Sequence, residues 1–289
     1  MTNLSDFVKE FEDIKRTSKE GFVTDYWGCR TSIKHYNSIQ PFNNKVLGFP
    51  DPDDGILHEL IEYIGSGYAI KNCKKSFTCI ELGAGNGVWC ARTGLAARRK
   101  GVKEINLTAV EADPTKAKWI QENLNENNLN SEIYDDCKTT ILNNAISDKK
   151  GVMYFPIVSN PDKDYGNVPS NENNEKDYRG ASFKNFKIDA ISLKDLITSP
   201  VDLLHVDIQG GERDLLIKTI EHLNKFVKVL VLGTHSRKIE GDMFELFFNN
   251  QWTLLLENHC LFKYDVNIPT LEGMTIKDGN QVWVNTKLT

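Results

Sequence analysis

The stretch SFTCIELGAGNG (76–87) decides how the rest of the chain is read. Its first residues form a short apolar run ending at glycine, the pattern of a strand covered on both faces. Gly83, Gly85 and Gly87 follow, and then Val88, Ala91 and Leu95 fall at helical spacing until Gly101 closes the helix. A strand, a glycine turn and a helix in this order is where open α/β sheets receive a nucleotide-like ligand.

The same rhythm continues outward. INLTAVEA (105–112) reads as a second strand, with Asp113 capping the next helix and Pro114 at its first position. TTILNNAIS (139–147), VDLLHVDIQ (201–209) and VKVLVLGTH (227–235) read as strands three to five. WTLLLENHC (252–260) and NQVWVNT (280–286) read as the last two. Strands alternating with helical patterns predict an α/β, doubly wound, Rossmann-like sheet over residues 76–289. Two regions fall outside the rhythm. Residues 1–75 contain DYWGCRT (25–31) and FPDPDDG (49–55), and are expected to be a helical and loop extension capping the active site. Residues 159–182 are polar and nearly free of aliphatics, which suits a lid-like insertion.

Composition narrows the function classes. The chain has 289 residues, a net charge of −5, 40% hydrophobic and 26% charged residues. No apolar run is long enough to span a membrane, and the charged start MTNLSDFVKEFEDIKR does not read as a signal peptide. A cytoplasmic protein with no membrane partner is expected. The acidic balance argues against a nucleic-acid partner. The basic clusters Lys71–Lys75 and Arg98–Lys100 read as solvated helix ends. Six cysteines without a C-x-x-C pair argue against a zinc knuckle or disulfide framework, and Cys79 reads as a buried hydrophobe. A homo-oligomer is compatible with this composition.

Glu111, at the end of the second strand, is placed to accept hydrogen bonds from both hydroxyls of a ribose. With the glycine turn it points to an adenosine-containing ligand. A dinucleotide fingerprint needs a small residue where Val88 stands, so NAD fits poorly. Glu81, two residues before the first glycine, suits an ammonium better than a pyrophosphate. S-adenosyl-L-methionine is therefore the expected cofactor, held by Glu81, Gly83, Ala84, Gly85, Glu111, Ala112 and Asp207. Asp207 ends the fourth strand and His235 the fifth. His235 is the expected general base, and Asp207 the group that binds the ammonium or orients the acceptor. Tyr26, Trp27 and Arg30 are expected to line the acceptor site, with Arg237 meeting an acidic acceptor. His205, inside an apolar strand, reads as a core histidine. A metal held by Asp207 and His235 would need more carboxylates than the sequence places there, so none is expected.

Four stretches resemble the FkbM-type family of class I methyltransferases: IELGAGNG, AVEADP, ILNNAISDKKG and DLLHVDIQGGERDLL. His205 replaces the usual lysine of the last motif and Gly211 its alanine. The resemblance implies a seven-stranded sheet ordered 3-2-1-4-5-7-6 with the last strand antiparallel. It implies that Asn144 and Ala145 flank the adenine. It also implies O-methyl transfer to a sugar, glycan or natural-product hydroxyl. The alternatives are an NAD-dependent oxidoreductase and a non-catalytic adenosine-binding scaffold.

Overall fold

A computed structural model describes residues 3–50, 60–130 and 135–289. Seven strands build the central sheet: β1 (Ser76–Leu82), β2 (Glu104–Val110), β3 (Cys137–Leu142), β4 (Val201–Val206), β5 (Val227–Thr234), β6 (Thr253–Asn258) and β7 (Gly279–Val284). Their spatial order is β6-β7-β5-β4-β1-β2-β3. Pairing is parallel from β5 through β3, and β7 runs antiparallel to both β5 and β6. This is the expected strand order, read from the opposite edge.

Alternating residues of each strand feed two cores, because side chains in a strand point to opposite faces. Cys79, Leu203 and Val229 join one face, together with α1 (Leu60–Asn72) and α2 (Val88–Lys100). Ile80, Leu204 and Leu230 join the other, under α4 (Glu212–Phe226) and α5 (Arg237–Asn249). Between them in sequence, α3 (Pro114–Glu126) opens on Asp113, whose side chain accepts from the Thr115 and Lys116 amides. His205 is buried, stacked on Trp89 and 3.1 Å from Glu62, as a core histidine should be.

The N-terminal segment is part of the core rather than a lobe laid over it. Phe7, Val8, Phe11 and Trp27 pack into the same cluster as Phe77 and Val231. Each such side chain contributes about 1.5–3 kcal/mol on burial. The FPDPDDG motif lies mostly outside the described residues.

The third expected strand splits in two. β3 stops at Leu142, and Ala145–Ser147 joins a separate sheet with Gly151–Pro156 and Asn185–Ser192. Asn143 causes the break: its side-chain amide donates to the carbonyls of Glu111 and Ala112, at 2.9 and 3.0 Å. The two other strands of this small sheet were not anticipated. Residues 159–182 connect them, largely without regular structure apart from bridges such as Tyr154–Ser170. Among the described residues, no helix is long and apolar enough to cross a membrane.

Candidate active site

The ends of β1, β2 and β4 enclose a cavity of about 230 Å³. Gly83, Gly85, Glu111, Ala112, Asn144, Ala145 and Asp207, seven of the expected cofactor residues, lie on its wall. Glu81 and Ala84 do not.

Glu81 is buried, and its carboxylate accepts from the backbone N–H groups of Trp89 and Cys90 at 3.2 and 2.8 Å. The residue before α2 is Gly87, which has no capping side chain, so Glu81 caps that helix from the neighbouring strand. Glu81, expected to meet the ammonium, therefore stands off the cavity wall and braces the helix behind it. Part of the glycine requirement is also internal. A Cβ on Gly83, at φ +70°, would stand 1.8 Å from the Asp207 carbonyl oxygen. Strand β4 therefore presses directly on the turn.

Glu111 binds the turn as well as facing the cavity. One oxygen accepts from Gly85 N–H and the other from Asp113 N–H, both at 2.7 Å. Each oxygen keeps a further lone pair for a ligand hydroxyl. Burial pushes this carboxyl up to about 7, against the pull of Lys116 and the two backbone donors.

The polar insertion reaches the turn through Tyr165. Its ring stacks on Tyr36 at 4.4 Å, its hydroxyl donates to the His35 carbonyl at 2.6 Å, and its edge covers Gly85. The Lys116 ammonium sits 3.9 Å from the ring centre. A salt-bridged Arg179, joined to Asp164 and Asp177, braces the same segment. Tyr165 and Lys116 carry no motif, and only the folded insertion brings them here.

A second set of charges gathers at the ends of β4 and β5. His235 is buried, with Nε2 3.1 Å from Asp207 and Nδ1 2.8 Å from Glu212. Nδ1 does not align as a hydrogen bond to its neighbour. Glu212 is fully buried and also accepts from the Ile208 and Gly210 amides, at 3.0 and 2.8 Å. Burial opposes a charged His235, yet Glu212 and Asp207 together hold its pKa well above the ordinary value. Burial likewise works to raise the Asp207 carboxyl, but His235 keeps it below its ordinary range. The two flanking carboxylates thus favour the protonated form of His235, which works against the free base expected from the sequence. Glu212 was the missed residue; its place in the GGER turn was visible, its meeting with His235 was not.

The three side chains bring donor atoms within 4.8 Å of one another, a spacing that could hold a metal ion. The carboxylates meet different nitrogens of one ring.

The expected acceptor residues lie elsewhere. Trp27 is buried and donates to the Val8 carbonyl; Tyr26 bonds Glu12; Arg30 reaches Glu126. Their DYWGCR segment is an anchor, because Asp25 takes a buried ion pair from Arg92 at 2.6 Å and a hydrogen bond from Tyr63. Arg237 is largely exposed and pairs with Glu240 at 3.3 Å. None of the four lies on either cavity beside Asp207 and His235. The second cavity, about 250 Å³, lies under the insertion and is lined by Tyr165, Tyr178, Arg179, Gln209, His235 and Glu272, among others.

The Methyltransferase FkbM domain family matches residues 81–264. A protein of Jannaschia sp. (strain CCS1), whose methyltransferase name is itself provisional, is 30% identical over 261 residues, covering 88% of this chain and 90% of that one. Among solved structures, the FkbM methyltransferase of Methylobacillus flagellatus KT is similar at a TM-score of 0.44 and 14% identity, over 73% of this chain. The present chain spans 45% of that protein's length. Precorrin-6y C5,15-methyltransferase of Geobacter metallireducens GS-15 is similar at a TM-score of 0.41 and 10% identity, over 82% of this chain and 96% of that one. On its matched family and its strand order, this chain belongs to the FkbM methyltransferase family.

Proposed function

We propose that the protein is an S-adenosylmethionine-dependent O-methyltransferase acting on a hydroxyl of a neutral sugar, glycan or similar natural product. One observation carries the reading: Glu111 and the glycine turn share a cavity whose other end is Asp207, and Asp207 touches the His235–Glu212 pair. The wall residues fit the cofactor. Glu111 offers lone pairs to the ribose, and Asn144 and Ala145 line the same cavity, where the resemblance puts the adenine.

A bound cofactor supplies a methyl group on a positively charged sulfur, a good leaving group. The chain must align the acceptor and receive its proton. Asp207 faces the cavity and is held ionised by His235. It can accept the acceptor's O–H and take the proton as the C–O bond forms and the C–S bond breaks. A weak base suffices, because an oxygen gaining a methyl group becomes strongly acidic. His235 and Glu212 hold Asp207 in place and in charge.

The second cavity supports an uncharged acceptor. Arg179 is already paired with Asp164 and Asp177, and the His235 charge is matched by Asp207 and Glu212. Glu272 adds a further carboxylate that would repel an anion. The rings of Tyr165 and Tyr178 suit the face of a sugar.

Thermal shift with S-adenosylmethionine, S-adenosylhomocysteine and NAD tests the class. Stabilisation by the first two alone is expected, at roughly 2.7 kcal/mol for ligand at 100 times its Kd. NAD alone would indicate an oxidoreductase, and no stabilisation a scaffold. A radiolabelled methyl-transfer screen of neutral and acidic glycans then tests the acceptor.

A further inference from the structure

Lys116 lies on α3 and is 3% exposed, yet its ammonium forms part of the cavity wall. Its hydrogen bond goes to a backbone carbonyl, that of Asp164, at 2.7 Å. Its other close contact is the Tyr165 ring. Among the described residues, no carboxylate stands within ion-pair distance of it, although burial of its charge is opposed at longer range by Glu111, Asp113, Asp164 and Asp207. Buried ammonium groups are normally paired, since an uncompensated charge in a protein interior is strongly destabilising.

The surroundings indicate what the missing partner is. The cavity holds one other lysine, Lys218, which lies 3.5 Å from Asp148 near the Ala145–Ser147 strand. Lys116 instead stands beside the ring that covers Gly85. The turn itself has little to give an anion. The N–H groups of Gly83 and Ala84 go to the Val110 carbonyl, that of Gly85 to Glu111, and that of Gly87 to Ala84. The Trp89 and Cys90 amides of α2 are taken by Glu81. An anionic group arriving at this end of the cavity finds Lys116 as the positively charged donor beside it.

We infer that Lys116 is the counter-ion for the carboxylate at the amino-acid end of the bound cofactor. This rests on the cofactor reading above. The ammonium has three donors, so it can engage that carboxylate while keeping the Asp164 carbonyl.

The test compares ligands that differ only at that end. S-Adenosylhomocysteine is set against 5′-methylthioadenosine, which lacks the amino-acid half, and S-adenosylmethionine against its decarboxylated form. Calorimetry gives each Kd for the wild type, Lys116→Met and Lys116→Arg. The wild type should favour the carboxylate-bearing member of each pair by about 10- to 100-fold, the size of a hydrogen bond to a charged group. Lys116→Met should erase most of that preference while leaving 5′-methylthioadenosine binding within about twofold, and Lys116→Arg should keep part of it. Unchanged preference in Lys116→Met, or equal loss for all four ligands, overturns the assignment. If Lys116→Met does not fold, Lys116→Gln serves for the same comparison. A wild type that binds both pairs without preference contradicts Lys116 alone. One that binds none of them contradicts the cofactor reading itself.

Discussion

The two halves of the site handle carboxylates in opposite ways. At the ends of β1 and β2, Glu81 and Glu111 are satisfied by backbone N–H groups, which are neutral dipoles. Their pKa values rise with burial. At the ends of β4 and β5, Asp207 and Glu212 flank His235 and favour its charged form, and the Asp207 carboxyl is lowered instead. The first half is a fixed cradle suited to recognising an uncharged ribose. The second is a charged cluster able to orient a hydroxyl and receive a proton. Binding and chemistry should therefore separate on mutation.

The largest separation is expected at the second half. Asp207→Asn or His235→Ala should lower kcat about 10²- to 10⁴-fold, the usual range for losing a proton-transfer group. Glu111→Gln should act mainly through cofactor affinity. Steady-state kinetics on the acceptor found by the methyl-transfer screen would check this, and equal effects at both halves would break the contrast. The pH profile sharpens it. Because His235 is held protonated, kcat should not fall as pH drops from 7.5 to 6. It should fall at higher pH, where the imidazolium loses its proton. An inflection near 6.5 with activity in the unprotonated form would restore His235 as the base.

Next in size is the buried anchor of the N-terminal segment. Asp25→Asn leaves Arg92 without its partner and should destabilise the fold by about 3–5 kcal/mol in urea denaturation. A loss below 1 kcal/mol would mean that the segment is not held by this pair.

A smaller, pH-dependent effect is expected at Glu111. Its folded carboxyl has a pKa of about 7, above its ordinary value of 4.5. The folded state keeps a proton that the unfolded chain releases, so stability present below 4.5 is lost as pH rises to about 7. Glu111→Gln lacks that loss. Relative to wild type it should gain between pH 5 and 7.5, by no more than about 3 kcal/mol in thermal unfolding. A pH-independent difference would contradict the burial argument. The smallest effect is expected at Arg237→Ala, within about 0.5 kcal/mol in stability and without change in acceptor KM.

The strands and much of the cavity wall were legible because they follow from local pattern, while the strand order came from the family resemblance. Apolar runs mark the strands, and Gly85, Glu111 and Asp207 each sit at a strand end, where the parallel sheet puts them together. Other features were not legible because they depend on distant meetings. Glu81 was read as a ligand group; only the absence of a cap at Gly87 turns it toward α2. DYWGCR resembled a sugar-binding aromatic cluster, but Asp25 finds Arg92 67 positions away and draws the segment into the core. Asn143 ended a strand that apolarity alone would have continued. Tyr165 comes from a polar insertion whose sequence announces no structure, and His235 owes its charge to Glu212, a residue of another element.

The most direct test is a crystal structure of the complex with S-adenosylhomocysteine. The account predicts the ribose hydroxyls on the Glu111 carboxylate, the amino-acid half beside Gly85 and Lys116, and the sulfur facing Asp207. A nucleoside bound outside this cavity, with Tyr165 still over the turn and Glu111 untouched, would contradict it.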